Sequence, residues 1–252
     1  MTKLFDLCIV IPCYNEEKRL DKNRMFNFLN LEQDVLLCFV NDGSSDNTIG
    51  VLDEIKNKYP NNVEAISTQT NVGKAEAVRT GIMYCNTHFN HKKIAYLDAD
   101  LATTLEECFE ISKVVKDETI FAFGSRIQKI DNHIERKMFR FLVGRIIATF
   151  ISNQLKLNVY DTQCGCKIFK SELSEKIFTE KFISKWLFDV ELFHRIIKIY
   201  GKEKMCEIAK EIPLKSWIDY DDSKVKMTYF FKLWLDLYYI KKHYNQLKNK
   251  AV

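Results

Sequence analysis

Val35-Leu36-Leu37-Cys38-Phe39-Val40 is an unbroken apolar run, and it leads through Asn41-Asp42-Gly43-Ser44-Ser45-Asp46 into a segment of helical character, Thr48 to Lys58. A short continuous run of apolar and β-branched residues is what a strand buried on both faces requires. The polar residues after it form turns, and Asp42 or Asp46 stands where the next helix is capped. The same unit recurs on either side. Leu7 to Pro12 precedes a polar segment that turns helical near Glu16, and Val63 to Ser67 precedes an Asn71-Val72-Gly73 turn and the helix Lys74 to Cys85. Lys93 to Leu97 precedes Leu105 to Val115, and Ile120 to Phe123 ends in Gly124-Ser125-Arg126. These alternations predict an α/β chain, a doubly wound and mostly parallel sheet with helices on both faces and ligands at the carboxyl ends of its strands.

The later sequence changes character. Glu135 to Leu155 reads as a long apolar helix carrying arginines, Tyr160 to Phe169 as a loop and short strand, and Phe188 to Tyr200 as a helix. Cys206 to Leu214 reads as a further strand and Met227 to Leu247 as a terminal helix rich in Tyr, Phe and Trp. No repeat, low-complexity tract or Pro/Gly/Ser linker marks a boundary, so the 252 residues are read as one domain.

Composition narrows the function. The formal net charge is +4, and the segment Gly124 to Arg145 carries Arg126, Lys129, Arg136, Lys137, Arg140 and Arg145, whose excess over Asp131 and Glu135 equals the whole net charge. A local basic segment suits an anionic substrate or an anionic membrane face; a nucleic-acid partner would call for a more generally basic chain. The eight cysteines form no CxxC pair and read as reduced core residues of a cytosolic protein, while His88 and His91 read as solvated. Met1 to Asp6 has no basic region followed by an apolar core, so no signal peptide is expected. Charges interrupt the apolar stretches Met138 to Leu155 and Met227 to Ile240, so neither reads as a transmembrane span.

The chemistry gathers at strand ends. In Tyr96-Leu97-Asp98-Ala99-Asp100 two carboxylates at i and i+2 follow an apolar run, and on an extended strand both would face one hard cation such as Mg2+ or Mn2+. Asp42, at the end of another strand, suits a ribose hydroxyl or a base N–H.

Taken in order, Ile9-Val10-Ile11-Pro12-Cys13-Tyr14-Asn15-Glu16-Glu17, Asn41-Asp42-Gly43-Ser44-Ser45-Asp46, Asn71-Val72-Gly73-Lys74 and Asp98-Ala99-Asp100 resemble the successive motifs of family 2 inverting glycosyltransferases with the GT-A fold. The second half resembles one branch, the polyprenyl-phosphate (dolichyl-phosphate) β-glucosyltransferases. That likeness rests on Asp98 to Thr103, Gly124-Ser125-Arg126, Asp161-Thr162-Gln163-Cys164-Gly165-Cys166-Lys167, Phe188-Asp189-Val190-Glu191-Leu192 and Ser223-Lys224-Val225. The resemblance implies a nucleotide-sugar-binding half, residues 1–126, and an acceptor-binding half, residues 127–252. It implies that Pro12, Tyr14, Glu16 and Asp42 hold the nucleoside, that Asp98 and Asp100 meet a divalent metal and the donor diphosphate, and that Lys74 positions the donor. Arg126, Arg136 and Lys224 would meet an acceptor phosphate, with Asp161, Gln163, Asp189 and Glu191 on the sugar side. Two departures stand out: Ala75-Glu76 after Gly73-Lys74, where relatives have small residues, and Cys166, where they commonly have an aromatic.

The expected reaction is transfer of a hexose, glucose from UDP-glucose, to a polyprenyl phosphate. Such an acceptor is largely dianionic at neutral pH and needs no general base. The alternatives are GDP-mannose as donor, or a saccharide hydroxyl as acceptor, for which Asp189 or Glu191 would be the base. A nucleotidyltransferase would need a Gly-rich basic loop after the first strand, which is missing, and a non-catalytic scaffold is the remaining rival. A lipid acceptor implies peripheral contact at the cytoplasmic membrane face. Met138, Phe139, Phe141, Leu142, Val143, Ile146 and Ile147, with Trp234, Tyr238, Tyr239, Lys241 and Lys242, either supply that contact or pack on the sheet.

Overall fold

Strand β1 (Leu4–Cys13) is flanked by two parallel partners, with Leu7 to Cys13 opposite Val35 to Asn41 and Leu4 to Val10 opposite Asn90 to Tyr96. Its central position explains why Leu7 to Ile11 is apolar without alternation: both faces are covered. The computed structural model describes residues 3–135, 138–218 and 229–249. Along the chain follow α1 (Lys22–Leu31), β2 (Val35–Asn41), α2 (Thr48–Lys58), β3 (Val63–Ser67), α3 (Lys74–His88), β4 (Asn90–Leu97), α4 (Leu105–Ser112) and β5 (Phe121–Ser125). Then come β6 (His133–Glu135), α5 (Met138–Leu155), β7 (Cys166–Lys170), α6 (Ser171–Ile177), α7 (Phe188–Tyr200), α8 (Lys202–Ile208), β8 (Ala209–Pro213), β9 (Ser216–Ile218) and α9 (Tyr229–Asn249).

The main sheet has the order β3-β2-β1-β4-β7-β5-β8, parallel except for β7, which runs antiparallel between β4 and β5. This inversion matters for the site. Because β7 enters the sheet where β4 and β5 leave it, Cys166 lies opposite Leu97 and Lys167 opposite Phe123, and the segment Asp161 to Gly165 is delivered to the same edge as the strand ends. Helices cover both faces as expected. One core holds Met25 and Phe28 of α1, Leu52 of α2 and Cys108 of α4; the other holds Val78 of α3, Phe193 of α7, Ile208 of α8 and Ile240 of α9.

Several boundaries differ from expectation. The first helix starts at Lys22, not near Glu16, because the Asp21 carboxylate accepts the amides of Asn23 and Arg24, whereas the Glu16 carbonyl closes a local turn with Arg19 and Leu20. Glu135 belongs to β6, which pairs with β9 in a small second sheet, and α5 begins at Met138. Cys206 lies in α8, and the strand that follows starts at Ala209. Three-residue strands carry too little periodicity to be read from sequence. All eight cysteines are free, seven of them buried and Cys206 exposed. His91 is half-buried against Ser171 and so is not a solvated side chain. Among the described residues no helix is long and apolar enough to cross a membrane.

Candidate active site

The site forms at the ends of β1, β2, β4 and β5 and the start of β7. Asp98 and Asp100 lie just past β4 in a turn closed by Leu101 N–H on the Asp98 carbonyl, with Leu101 at φ 49°, so their common setting comes from this turn and not from strand alternation. The Asp98 amide donates to the Gly165 carbonyl, and Gly165 leaves room for the Asp98 carboxylate where a β-carbon would collide with it. Lys74, at the start of α3, reaches Asp98 Oδ1 at 2.6 Å. Burial works against the Lys74 ammonium, but Asp98, Asp189 and Asp100 outweigh it and hold its pKa above the usual range. Burial, reinforced by the Asp98 charge, raises the pKa of Asp100. Asp100 Oδ1 also accepts the Ala102 amide.

That charge pattern suits a divalent cation. Asp98 and Asp100 stand together with their charges in conflict, and a hard cation would relieve them while accepting oxygens from a bound diphosphate. Among the described residues no group of three His, Cys, Asp or Glu side chains forms a protein-only cage. Mg2+ or Mn2+ would therefore be held by these two carboxylates with ligand oxygens and water completing the shell, as is usual for phosphate-bound Mg2+.

The nucleoside side is a set of stitched loops. Pro12 is the last residue but one of β1, opposite Val40, and Tyr14, just past the strand, is exposed. Asn15 and Ser45 tie the first loop to the second, Ser45 N–H donating to Asn15 Oδ1 at 2.9 Å. Glu16 is buried, its amide on Thr48 Oγ1 and its carboxylate 3.5 Å from Arg19 Nε. Asp42, expected at the nucleoside, is engaged with the loop before α3. Its carboxylate accepts the amides of Val72 and Gly73, the Asn71 side chain and the Thr68 hydroxyl, because the loop before α3 folds back onto it. Asp42 thus shapes the loop that delivers Lys74.

On the acceptor side, Arg126 is also engaged. Asp161 receives its Nε at 2.6 Å and Nη2 at 2.8 Å in a bidentate fork, and the Arg126 backbone amide as well. Burial opposes the guanidinium charge, Asp161 more than restores it, and the Arg126 pKa lies above its ordinary value. Arg126 is thus held by Asp161 through Nε and Nη2, with the Nη1 amino group outside the fork. Gln163 packs into the same turn, its amide on Asp161 Oδ1. Arg136 and Lys224 lie outside the described residues.

Asp189 and Glu191 separate because they belong to a helix, where residues two apart diverge by about 200°. Glu191 is fully buried and accepts the amides of Ile183 and Ser184, one on each carboxylate oxygen, and burial raises its pKa, so it anchors that loop. Asp189 turns to the site, where the Tyr96 hydroxyl and Lys167 Nζ both donate to its Oδ1.

Four contributors have no role assigned in the sequence reading. Arg19 sits 3.8 Å from Asp100, and Lys167 and Tyr96 hold Asp189. Glu211 of β8 accepts the amides of Tyr160 and Asp161 and the Ser125 hydroxyl, fixing the loop beneath Arg126. A lone acid in the otherwise apolar end of β8 was the only available signal for it.

Paired aspartates and a lysine thus stand at the carboxyl edge of a mostly parallel α/β sheet, the arrangement in which the comparisons with known proteins identify a hexosyltransferase. Residues 8–178 match the model of glycosyl transferase family 2, and the chain belongs to that family. It is 31% identical over 237 residues to a dolichyl-phosphate beta-glucosyltransferase of Homo sapiens, covering 84% of this chain and 71% of the relative. A protein of the same name from Trichomonas vaginalis is 28% identical over 242 residues, covering 90% of this chain and 68% of the relative. The fold is shared with glucosyl-3-phosphoglycerate synthase from Mycobacterium tuberculosis in complex with Mn2+, UDP-glucose and phosphoglyceric acid (TM-score 0.64, 13% identity, 94% of this chain and 80% of that one).

Proposed function

We propose that the chain transfers glucose from UDP-glucose to a polyprenyl or dolichyl phosphate with inversion, using Mg2+ or Mn2+ held by Asp98 and Asp100. The observation that carries the choice of acceptor is the state of the sugar-side carboxylates. Asp161 is forked to Arg126, Glu191 to two amides, and Asp189 to Lys167 and Tyr96. A hydroxyl acceptor needs a carboxylate ready to take its proton. A phosphate monoester, its second pKa near 6, arrives as a nucleophile already. In the reaction a phosphate oxygen bonds to C1 of the hexose from one face while the bond from C1 to the UDP oxygen breaks on the other. When bound, the cation offsets charge on the departing diphosphate. Lys74 supports it from the protein side, and Arg126, with Arg136 and Lys224, meets the incoming phosphate. The names of the relatives support glucose and the lipid phosphate; the Mn2+ and UDP-glucose of the structural neighbour support metal and donor.

Peripheral membrane contact belongs to the same reading. Met138, Leu142, Ile146 and Phe150 recur every fourth residue on α5 and are each more than half exposed, a stripe that does not pack on the sheet. The ring of Phe150 meets Trp234 edge-on, which joins the stripe to exposed Leu235, Tyr238 and Tyr239 of α9, with Lys241 and Lys242 beyond. Apolar and aromatic residues flanked by lysines suit an anionic bilayer surface.

The test is thermal unfolding of the purified protein with UDP, GDP, CDP and dTDP, with and without Mn2+. A ligand that binds the native state at a hundredfold excess over Kd adds about 2.7 kcal/mol of apparent stability. A Mn2+-dependent rise with UDP alone, lost in Asp100→Ala, is expected; a rise with GDP alone would move the donor to GDP-mannose.

A further inference from the structure

Lys74 is seated by a loop from much later in the chain. Gly73, at φ 93°, opens α3 without a side chain to cap it, and the Ala75 amide is taken instead by the Lys185 carbonyl at 3.3 Å. A β-carbon on Gly73 would lie 3.1 Å from Lys185 Cδ, so the stem of this lysine packs over the turn glycine. Both residues that flank Lys74 thus rest on Lys185, and Lys74 reaches Asp98 from that seat. Lys185 is itself exposed, and its place is set by the residue before it. Ser184 is 2% exposed, and its amide donates to Glu191 Oε1 at 2.9 Å. Its hydroxyl accepts the Leu187 amide at 3.0 Å and the Trp186 amide at 3.3 Å, and donates to Asp236 Oδ2 of α9 at 2.7 Å. A hydroxyl has one proton to give, so its bond to Asp236 leaves both lone pairs turned to those two amides. Resting on the reading of Lys74 as the lysine of the donor diphosphate, we infer that Ser184 and Asp236 are positioning residues for the donor. Asp236 orients Ser184 Oγ, Ser184 holds the loop 183–187 in its turn, and Lys185 carries that placement to Gly73 and Ala75 on either side of Lys74.

The test is calorimetric titration of the full chain with UDP at saturating Mn2+, in the wild type, D236A, D236N, S184A, K74M and the double variant D236A/K74M. K74M is expected to bind UDP about tenfold to hundredfold more weakly, the range for one bond to a charged group. D236A and S184A are each expected to weaken UDP binding about threefold to tenfold, the scale of coupling within one hydrogen-bond network. Asn keeps an acceptor for the Ser184 hydroxyl, so D236N returns to within about twofold of wild type. The double variant is decisive. If Asp236 acts through Lys74, adding D236A to K74M leaves UDP affinity where K74M alone puts it, whereas a general loosening of the fold weakens binding in both backgrounds. S184A/K74M takes its place if D236A does not fold. Wild-type UDP affinity in D236A and S184A, an equal loss on the K74M background, or D236N no better than D236A would overturn the assignment. A K74M that binds UDP as the wild type does, or a wild type that binds no UDP, overturns the reading of Lys74 on which the assignment rests, and either result is distinct from the other three.

Discussion

Gly165 lies against Asp98 across the junction of β4 and β7, its carbonyl accepting the Asp98 amide at 3.1 Å and its bare α-carbon facing the Asp98 carboxylate. The Asp98 side of the site and the loop that carries Asp161 are thereby locked to each other through backbone. A methyl group on Gly165 must displace the carboxylate, since the backbone on both sides belongs to the sheet.

Gly165→Ala is accordingly expected to abolish the Mn2+-dependent part of UDP stabilisation and to lower transfer activity by about a hundredfold, the scale of a misplaced catalytic group. Unfolding midpoints with and without Mn2+ and UDP check this. A variant with wild-type metal response would show that Asp98 does not need its present position.

The Arg126–Asp161 fork is largely buried on both sides, and removing one charge strands the other. Asp161→Asn is expected to cost about 3 kcal/mol, a drop in Tm of roughly 6–12 °C for a chain of this size. Arg126→Lys keeps the charge but cannot make the bidentate pair, and should lose stability to a smaller degree. Thermal unfolding of the two variants side by side decides it; an Asp161→Asn protein as stable as wild type contradicts the structural role of the fork.

Burial lowers the pKa of His91 to about 4 from 6.5. Between those values the unfolded chain binds more protons than the native one, so stability rises with pH across that window. His91 contributes fully above pH 6.5, and the contribution is lost as pH falls through 4. The full shift corresponds to about 3 kcal/mol, reduced to about 1–2 kcal/mol by solvent screening at a half-buried site. Urea unfolding at pH 4.5 and 7 should show this difference, and His91→Asn should flatten it.

The exposed stripe on α5 gives a test with little risk to the fold, since Leu142 and Ile146 are each 54% exposed. Replacing both with Ser should leave Tm within about 2 °C and sharply reduce sedimentation with anionic liposomes at low salt. If the wild type stays in the supernatant, the stripe is not a bilayer contact.

What the sequence revealed was what the backbone pattern carries. The apolar runs of β1, β2 and β4 announced a buried parallel sheet, and Asp98, Asp100 and Lys74 stood out because each follows a strand or a turn glycine. Hidden from it was everything set by long-range pairing. The antiparallel entry of β7, which brings Gly165 to Asp98 and Lys167 to Asp189, joins residues from distant parts of the chain. Asp42 and Glu191 read as site acids because their motif positions say so, yet the amides that occupy them lie in other loops. Lys167 is named in the sequence only as the end of the Asp161 motif, and its role becomes readable only with its buried partner.

The central claim is transfer of a hexose to a lipid phosphate without a carboxylate base, and a direct transfer assay tests it. Purified protein, UDP-glucose labelled in the sugar and Mn2+ are incubated in parallel with a short polyprenyl phosphate and with the corresponding polyprenol. Label is expected in the phosphate-linked lipid only, lost on chelation of the metal and in Asp100→Ala. Label on the free alcohol, or on neither lipid while a saccharide hydroxyl is glucosylated, would contradict it.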